Sequence, residues 1–114
     1  MARKASSVGK KVIVQFSSAP LGEGVSVSRF VVEALKEVEK SGLKYQLTPT
    51  STVLEANSPR EAMEAIMKAH EALFPAGAER VITDIKIDDR RDEPRNMEEK
   101  VEKVKKLLAA SKRQ

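Results

Sequence analysis

The densest polar stretch of the chain is KIDDRRDEPR, residues 86–95, and its side chains support more than one chemistry. Asp88, Asp89 and Asp92 offer the hard oxygen ligands that a cation such as magnesium takes. Arg90 and Arg91 can instead claim those carboxylates as ion pairs, tying the loop to the sheet or to a neighbouring subunit without any ligand. Phosphate binding by the arginines is a third use. His70 is the single histidine. It shares helical spacing with Ile66, Leu73 and Phe74 and has no evident acid-base partner, so it reads as a histidine at the edge of a core. Cysteine is absent, which removes disulfides, thiolate metal sites and cysteine nucleophiles. Neither GxSxG, a P-loop nor GxGxxG occurs. No catalytic constellation can be named, and no resident metal or cofactor is expected.

The elements that must position these side chains follow from periodicity. KVIVQFS, residues 11–17, alternates, with Val12, Val14 and Phe16 on one face and Ile13, Gln15 and Ser17 on the other. APLGEGV then reads as a loop. Ser26 or Ser28 can cap a helix carrying Val27, Phe30, Val31, Ala34, Leu35 and Val38, which ends at Ser41-Gly42. Lys44 to Thr48 reads as a strand with Tyr45 and Leu47 inward, and Ser51 to Ala56 as its hairpin partner. Ser58-Pro59, with Glu61 at capping-box spacing, starts a second helix whose stripe is Ala62, Met63, Ile66, Ala69, His70 and Leu73. Arg80 to Asp88 alternates again, and Met97 to Ala110 reads as a third, lysine-rich helix.

Length allows one domain, over residues 10–110, between a flexible basic tail at 1–9 and a short tail at 111–114. The net charge of +4 is unevenly spread. Residues 1–11 carry four bases and no acid, residues 98–114 are also basic, and the body between them is net acidic. The bases therefore form tails rather than the basic folded face of a nucleic-acid binder. The aromatic residues Phe16, Phe30, Tyr45 and Phe74 all fit core positions, which leaves none to stack RNA bases. No apolar run approaches the roughly 20 residues of a membrane span. A cytoplasmic protein is expected, with no membrane or nucleic-acid partner.

The order strand, helix, strand, strand, helix, strand, helix predicts an α+β domain of the ferredoxin-like βαββαβ type with an extra C-terminal helix. One sheet face then meets the helices. The other shows Ile13, Gln15, Ser17, Gln46, Thr48, Ile82, Asp84 and Lys86, a polar face that can be solvated, meet another subunit or line a small-molecule site.

Four stretches together, PLGEGVSVSRFV, KYQLTPTSTVLEA, EAMEAIMKAHEAL and GAERVITDIKIDDRRD, resemble the thiamine-binding-protein family of small YkoF-like proteins, over residues 11–108. The resemblance rests on Pro20, Gly22, Ser26 and Ser28 before the first helix and on Thr52 and Glu55 in the third strand. At the last strand it rests on Arg80, Val81, Ile87, Asp88, Arg90 and Asp92. Ser51 and Ala56 depart from it, standing where the family often has glycine. The resemblance implies homodimers or homotetramers and binding of thiamine or its hydroxymethylpyrimidine part, and the missing catalytic residues imply that no reaction is catalysed. On that reading Glu55 accepts from the pyrimidine, Thr52, Ser17, Thr48, Gln15 and Ser28 supply hydrogen bonds, and Asp84 sits near the thiazolium cation. Asp88, Arg90 and Asp92 make oligomer or loop ion pairs. The alternative is a structural or regulatory homo-oligomer with no ligand.

Overall fold

The protein is described by a computed structural model over residues 11–22, 24, 27–92 and 96–112. The elements are β1 (Val12–Pro20), α1 (Ser28–Ser41), β2 (Lys44–Leu47), β3 (Thr52–Ala56), α2 (Pro59–Ala72), β4 (Val81–Asp88) and α3 (Met97–Lys112). The four strands form one antiparallel sheet in the order β2-β3-β1-β4. This is the predicted ferredoxin-like split βαβ arrangement with one further helix. Ser26 and the tail at 1–9 lie outside the described residues.

Alternation places Val12, Val14 and Phe16 on the face that α1 and α2 cover. There they meet Leu54 and Ala56 of β3, Phe30, Ala34 and Val38 of α1, and Ala62, Ile66 and Ala69 of α2. Val14, Phe30, Val38, Leu54, Ile66 and Leu73 are fully buried. Burying each such side chain contributes roughly 1.5–3 kcal/mol. The second helix begins as its sequence dictates. The Ser58 hydroxyl accepts from Glu61 N–H at 3.1 Å, Pro59 takes the first helical position, and Glu61 Oε1 accepts from Asn57 N–H at 2.8 Å. Gly42 closes α1 at φ 77°, and its N–H returns to the Glu39 carbonyl at 3.1 Å.

Several local expectations are corrected. β1 runs on through Pro20, where the sequence suggested a loop, because Ser17 to Pro20 pair with Val81 to Asp84. Leu21 N–H donates to the Arg80 carbonyl at 2.8 Å, so the ring nitrogen of Pro20 faces the side that β3 does not reach. Ser28 is the first residue of α1 rather than its cap. Val27 holds the cap position and offers no side-chain hydrogen bond. Leu47 shares the helix-covered face but is 58 % exposed, since β2 is an edge strand beyond the helices. Ile85 and Ile87 are on that face and exposed for the same reason on the opposite edge. Phe74 lies outside the core, edge-on to the His70 ring at a centroid distance of 5.7 Å. No helix among the described residues is long and apolar enough to cross a membrane.

Candidate functional site

On the helix-covered face, strand register sets Leu47, Thr52, Phe16 and Ile85 in one row across all four strands. Above the Leu47–Thr52–Phe16 end of that row lies a groove of about 660 Å³. The first turns of α1, with Ser28, Val31 and Ala34, make one wall, and the β2–β3 turn, residues 47–51, makes the other. The size is that of a small-molecule site. Ser17 and Ser18 border the groove where β1 has run past the end of β3. Among the described residues no charged side chain lines it.

The hydroxyls of the groove differ in how they are engaged. Thr48 Oγ1 is committed to its own turn. It donates to the Ser51 carbonyl at 2.9 Å and accepts from Ser51 N–H at 3.0 Å. Ser18 Oγ lies 2.6 Å from Thr83 Oγ1. Thr52 is only 6 % exposed, and its hydroxyl has no hydrogen-bond partner among the described residues. The hydroxyls of Ser17 and Ser28 are likewise unpartnered among them. No buried side-chain oxygen or nitrogen among the described residues lacks a partner, so these hydroxyls are open to solvent and available to whatever enters the groove.

Of the residues expected to bind ligand, the structure thus brings Ser28, Thr48 and Thr52 together, while Ser17 borders the groove from a β1 position paired with Asp84, the two side chains sharing the other sheet face. It places Gln15, Glu55 and Asp84 on the opposite sheet face. There a second cross-strand row, Lys44, Glu55, Ile13 and Asp88, receives the first turn of α3. Glu55 is 9 % exposed, and its Oε2 accepts from Met97 N–H at 3.3 Å. Lys44 Nζ meets Glu98 Oε2 at 2.6 Å, and Lys100 pairs with Asp88. The Lys44 ammonium holds the Glu98 carboxyl below its ordinary value, and Glu98 raises Lys44 in return. The helix start is reinforced by reciprocal bonds. Asn96 Oδ1 accepts from Glu99 N–H at 2.8 Å, and Glu99 Oε1 accepts from Asn96 N–H at 3.0 Å. Sequence reasoning missed this seat, although Asn-x-x-Glu at 96–99 was its visible signal.

The charged loop resolves into local pairs. Arg90 Nε lies 3.0 Å from Asp92 Oδ1, and Arg91 Nη2 lies 2.8 Å from Asp89 Oδ2. The guanidinium of Arg91 holds the Asp89 carboxyl below its ordinary value. Among the described residues no group of three or more acidic or histidine side chains is placed to hold a metal ion.

Comparison with known proteins accords with this architecture. Residues 14–105 match the family described as "Thiamine-binding protein". A "UPF0045 protein" of Methanothermobacter thermautotrophicus is 41% identical over 98 residues, covering 85% of this chain and 99% of its own length. One from Staphylococcus xylosus is 44% identical over 101 residues, covering 84% and 94%. Among solved structures, a hypothetical protein of Methanocaldococcus jannaschii superposes with a TM-score of 0.76 at 34% identity, over 83% of this chain and 96% of that one. A candidate thiamine biosynthesis/salvage protein of Thermotoga maritima superposes with a TM-score of 0.70 at 26% identity, over 82% and 98%. With the match running through nearly every element of the sheet and its helices, the chain belongs to the thiamine-binding protein family.

Proposed function

We propose that this protein binds thiamine through its hydroxymethylpyrimidine moiety, or binds that pyrimidine alone, in the groove between α1 and the β2–β3 turn. The observation that carries the proposal is the Thr52 hydroxyl, unpartnered among the described residues and open to the groove that it lines. An aminopyrimidine offers flat apolar faces with a donor and acceptors at its edge. The apolar walls of Val31, Ala34 and Phe16 and the hydroxyls of Thr52, Ser28 and Ser18 match that pattern. Among the described residues the lining is uncharged, which favours the pyrimidine over the cationic thiazolium, since these residues offer the cation nothing against its loss of hydration. Binding without turnover is the role we assign, in a cytoplasmic setting that accords with the absence of cysteine.

Calorimetric titration with thiamine and with hydroxymethylpyrimidine tests the reading. Thr52→Val, which removes the hydroxyl and keeps the shape, is expected to weaken binding about three- to tenfold, the worth of one neutral hydrogen bond. Unchanged affinity in that variant, or no heat from the wild type at millimolar ligand, contradicts it.

We further propose that the protein works as a homo-oligomer that covers α3. Beyond Met97 this helix leaves the body, and Val101, Val104, Leu107 and Leu108 are all exposed on it. Such a stripe on a lone helix is the pattern of an interface. Light scattering is expected to show a dimer or tetramer for the wild type and a smaller species for the double variant Val104→Asp, Leu108→Asp. A monomeric wild type, or an unchanged oligomer in the variant, removes α3 from the interface.

A further inference from the structure

His70, Thr83 and Ser18 form a continuous hydrogen-bonded chain that ends in the groove. His70 Nδ1 lies 2.7 Å from Thr83 Oγ1, and Thr83 Oγ1 lies 2.6 Å from Ser18 Oγ. The register makes this possible, since Ser18 and Thr83 are cross-strand partners on the helix-covered face, under α2. All three residues are partly buried, and Ser18 lines the groove.

Each hydroxyl has one proton to give and lone pairs to accept with. When Nδ1 is bare, Thr83 donates to it, Ser18 donates to Thr83, and the Ser18 lone pairs are left for the groove. When Nδ1 carries a proton, Thr83 accepts from the ring and donates to Ser18. The Ser18 proton is then free for the groove. We propose that His70 and Thr83 are positioning residues that set whether Ser18 meets the bound pyrimidine as an acceptor or as a donor. This rests on the groove being the pyrimidine site. An aminopyrimidine presents both an amine and ring nitrogens, so the state of the relay selects which edge Ser18 engages.

The side chains beside the relay on the helix-covered face carry no charge. On β4 the same-face neighbours of Thr83 are Val81 and Ile85, and on β1 those of Ser18 are Phe16 and Pro20. On α2 the residues one turn away are Ile66, Met67, Leu73 and Phe74. None is charged. Asp84 lies on the other sheet face, and Glu71 is the acidic neighbour of His70 along α2. Arg29 of α1, which reaches the turn after α2, donates to the Ala76 carbonyl at 2.8 Å and lies 4.1 Å from the Phe30 ring centroid.

Because the chain has one histidine, its imidazole signals are isolated in a nuclear magnetic resonance titration. With the neutral ring protonated on Nε2, binding that favours one polarity of Ser18 shifts the His70 midpoint, and protonation shifts affinity by the same factor. Saturating hydroxymethylpyrimidine is expected to move the midpoint by at least about 0.5 pH units, a roughly threefold coupling. Thr83→Val is expected to bind the pyrimidine but lose the shift, and Thr83→Ser to restore it. If the midpoint is unmoved by a ligand that calorimetry shows to bind, or if Thr83→Val keeps the shift, the relay is overturned and the groove reading stands. If the wild type binds no pyrimidine at all, both are overturned.

Discussion

Glu55→Ala is expected to unseat the start of α3 while leaving pyrimidine affinity within about twofold of wild type. Glu55 projects from β3 on the sheet face away from the groove, where its carboxylate accepts the Met97 N–H at 3.3 Å. Losing a helix-start acceptor costs about 0.5–2 kcal/mol. The loss falls on one short anchorage, because Met97 is the only buried residue of α3. The Lys44–Glu98 and Lys100–Asp88 pairs flank it but are exposed, and exposed pairs hold little by themselves. Amide hydrogen exchange should therefore show protection falling about tenfold or more over residues 97–101, with the sheet unaffected. Glu55→Gln, which keeps an acceptor oxygen, should retain much of it. A tenfold loss of pyrimidine affinity with α3 still protected would instead return Glu55 to the ligand site.

Leu54→Ala carries the largest expected loss of stability, about 2–5 kcal/mol. Leu54 is fully buried at the centre of the sheet, beside Val14 on one side and Tyr45 on the other, under α1 and α2. Removing it leaves a cavity that two helices and three strands would have to collapse around. A domain of this size has only about 5–15 kcal/mol to lose. Equilibrium denaturation measures the effect as a fall in midpoint with an unchanged slope. A loss below about 1 kcal/mol would mean that the core is elsewhere.

The strands and helices were legible because each reports its own face. Val12, Val14 and Phe16 alternate, and Ile66, Ala69 and Leu73 recur at helical spacing, so neither needs a partner to be read. What depended on register was not legible in the same way. Thr52 and Glu55 are three residues apart on a strand and so point to opposite faces, one into the groove and one under α3. The family resemblance joined them as a sequence pattern, whereas the sheet separates them in space. His70 showed no acid partner along the sequence, and its actual partner, Thr83, is found only once Ser18 and Thr83 are paired across β1 and β4. The exposure of Leu47 and Phe74 also follows from where the helices stop rather than from hydropathy.

The groove is located most directly by backbone chemical-shift mapping of the isotope-labelled full chain on titration with hydroxymethylpyrimidine. The account predicts the largest perturbations at Ser17, Ser18, Ser28, Thr52 and the turn residues 47–51, with Ile13, Glu55 and Asp84 little changed. Perturbations centred on Glu55 and Asp84, or none at millimolar ligand, would contradict it.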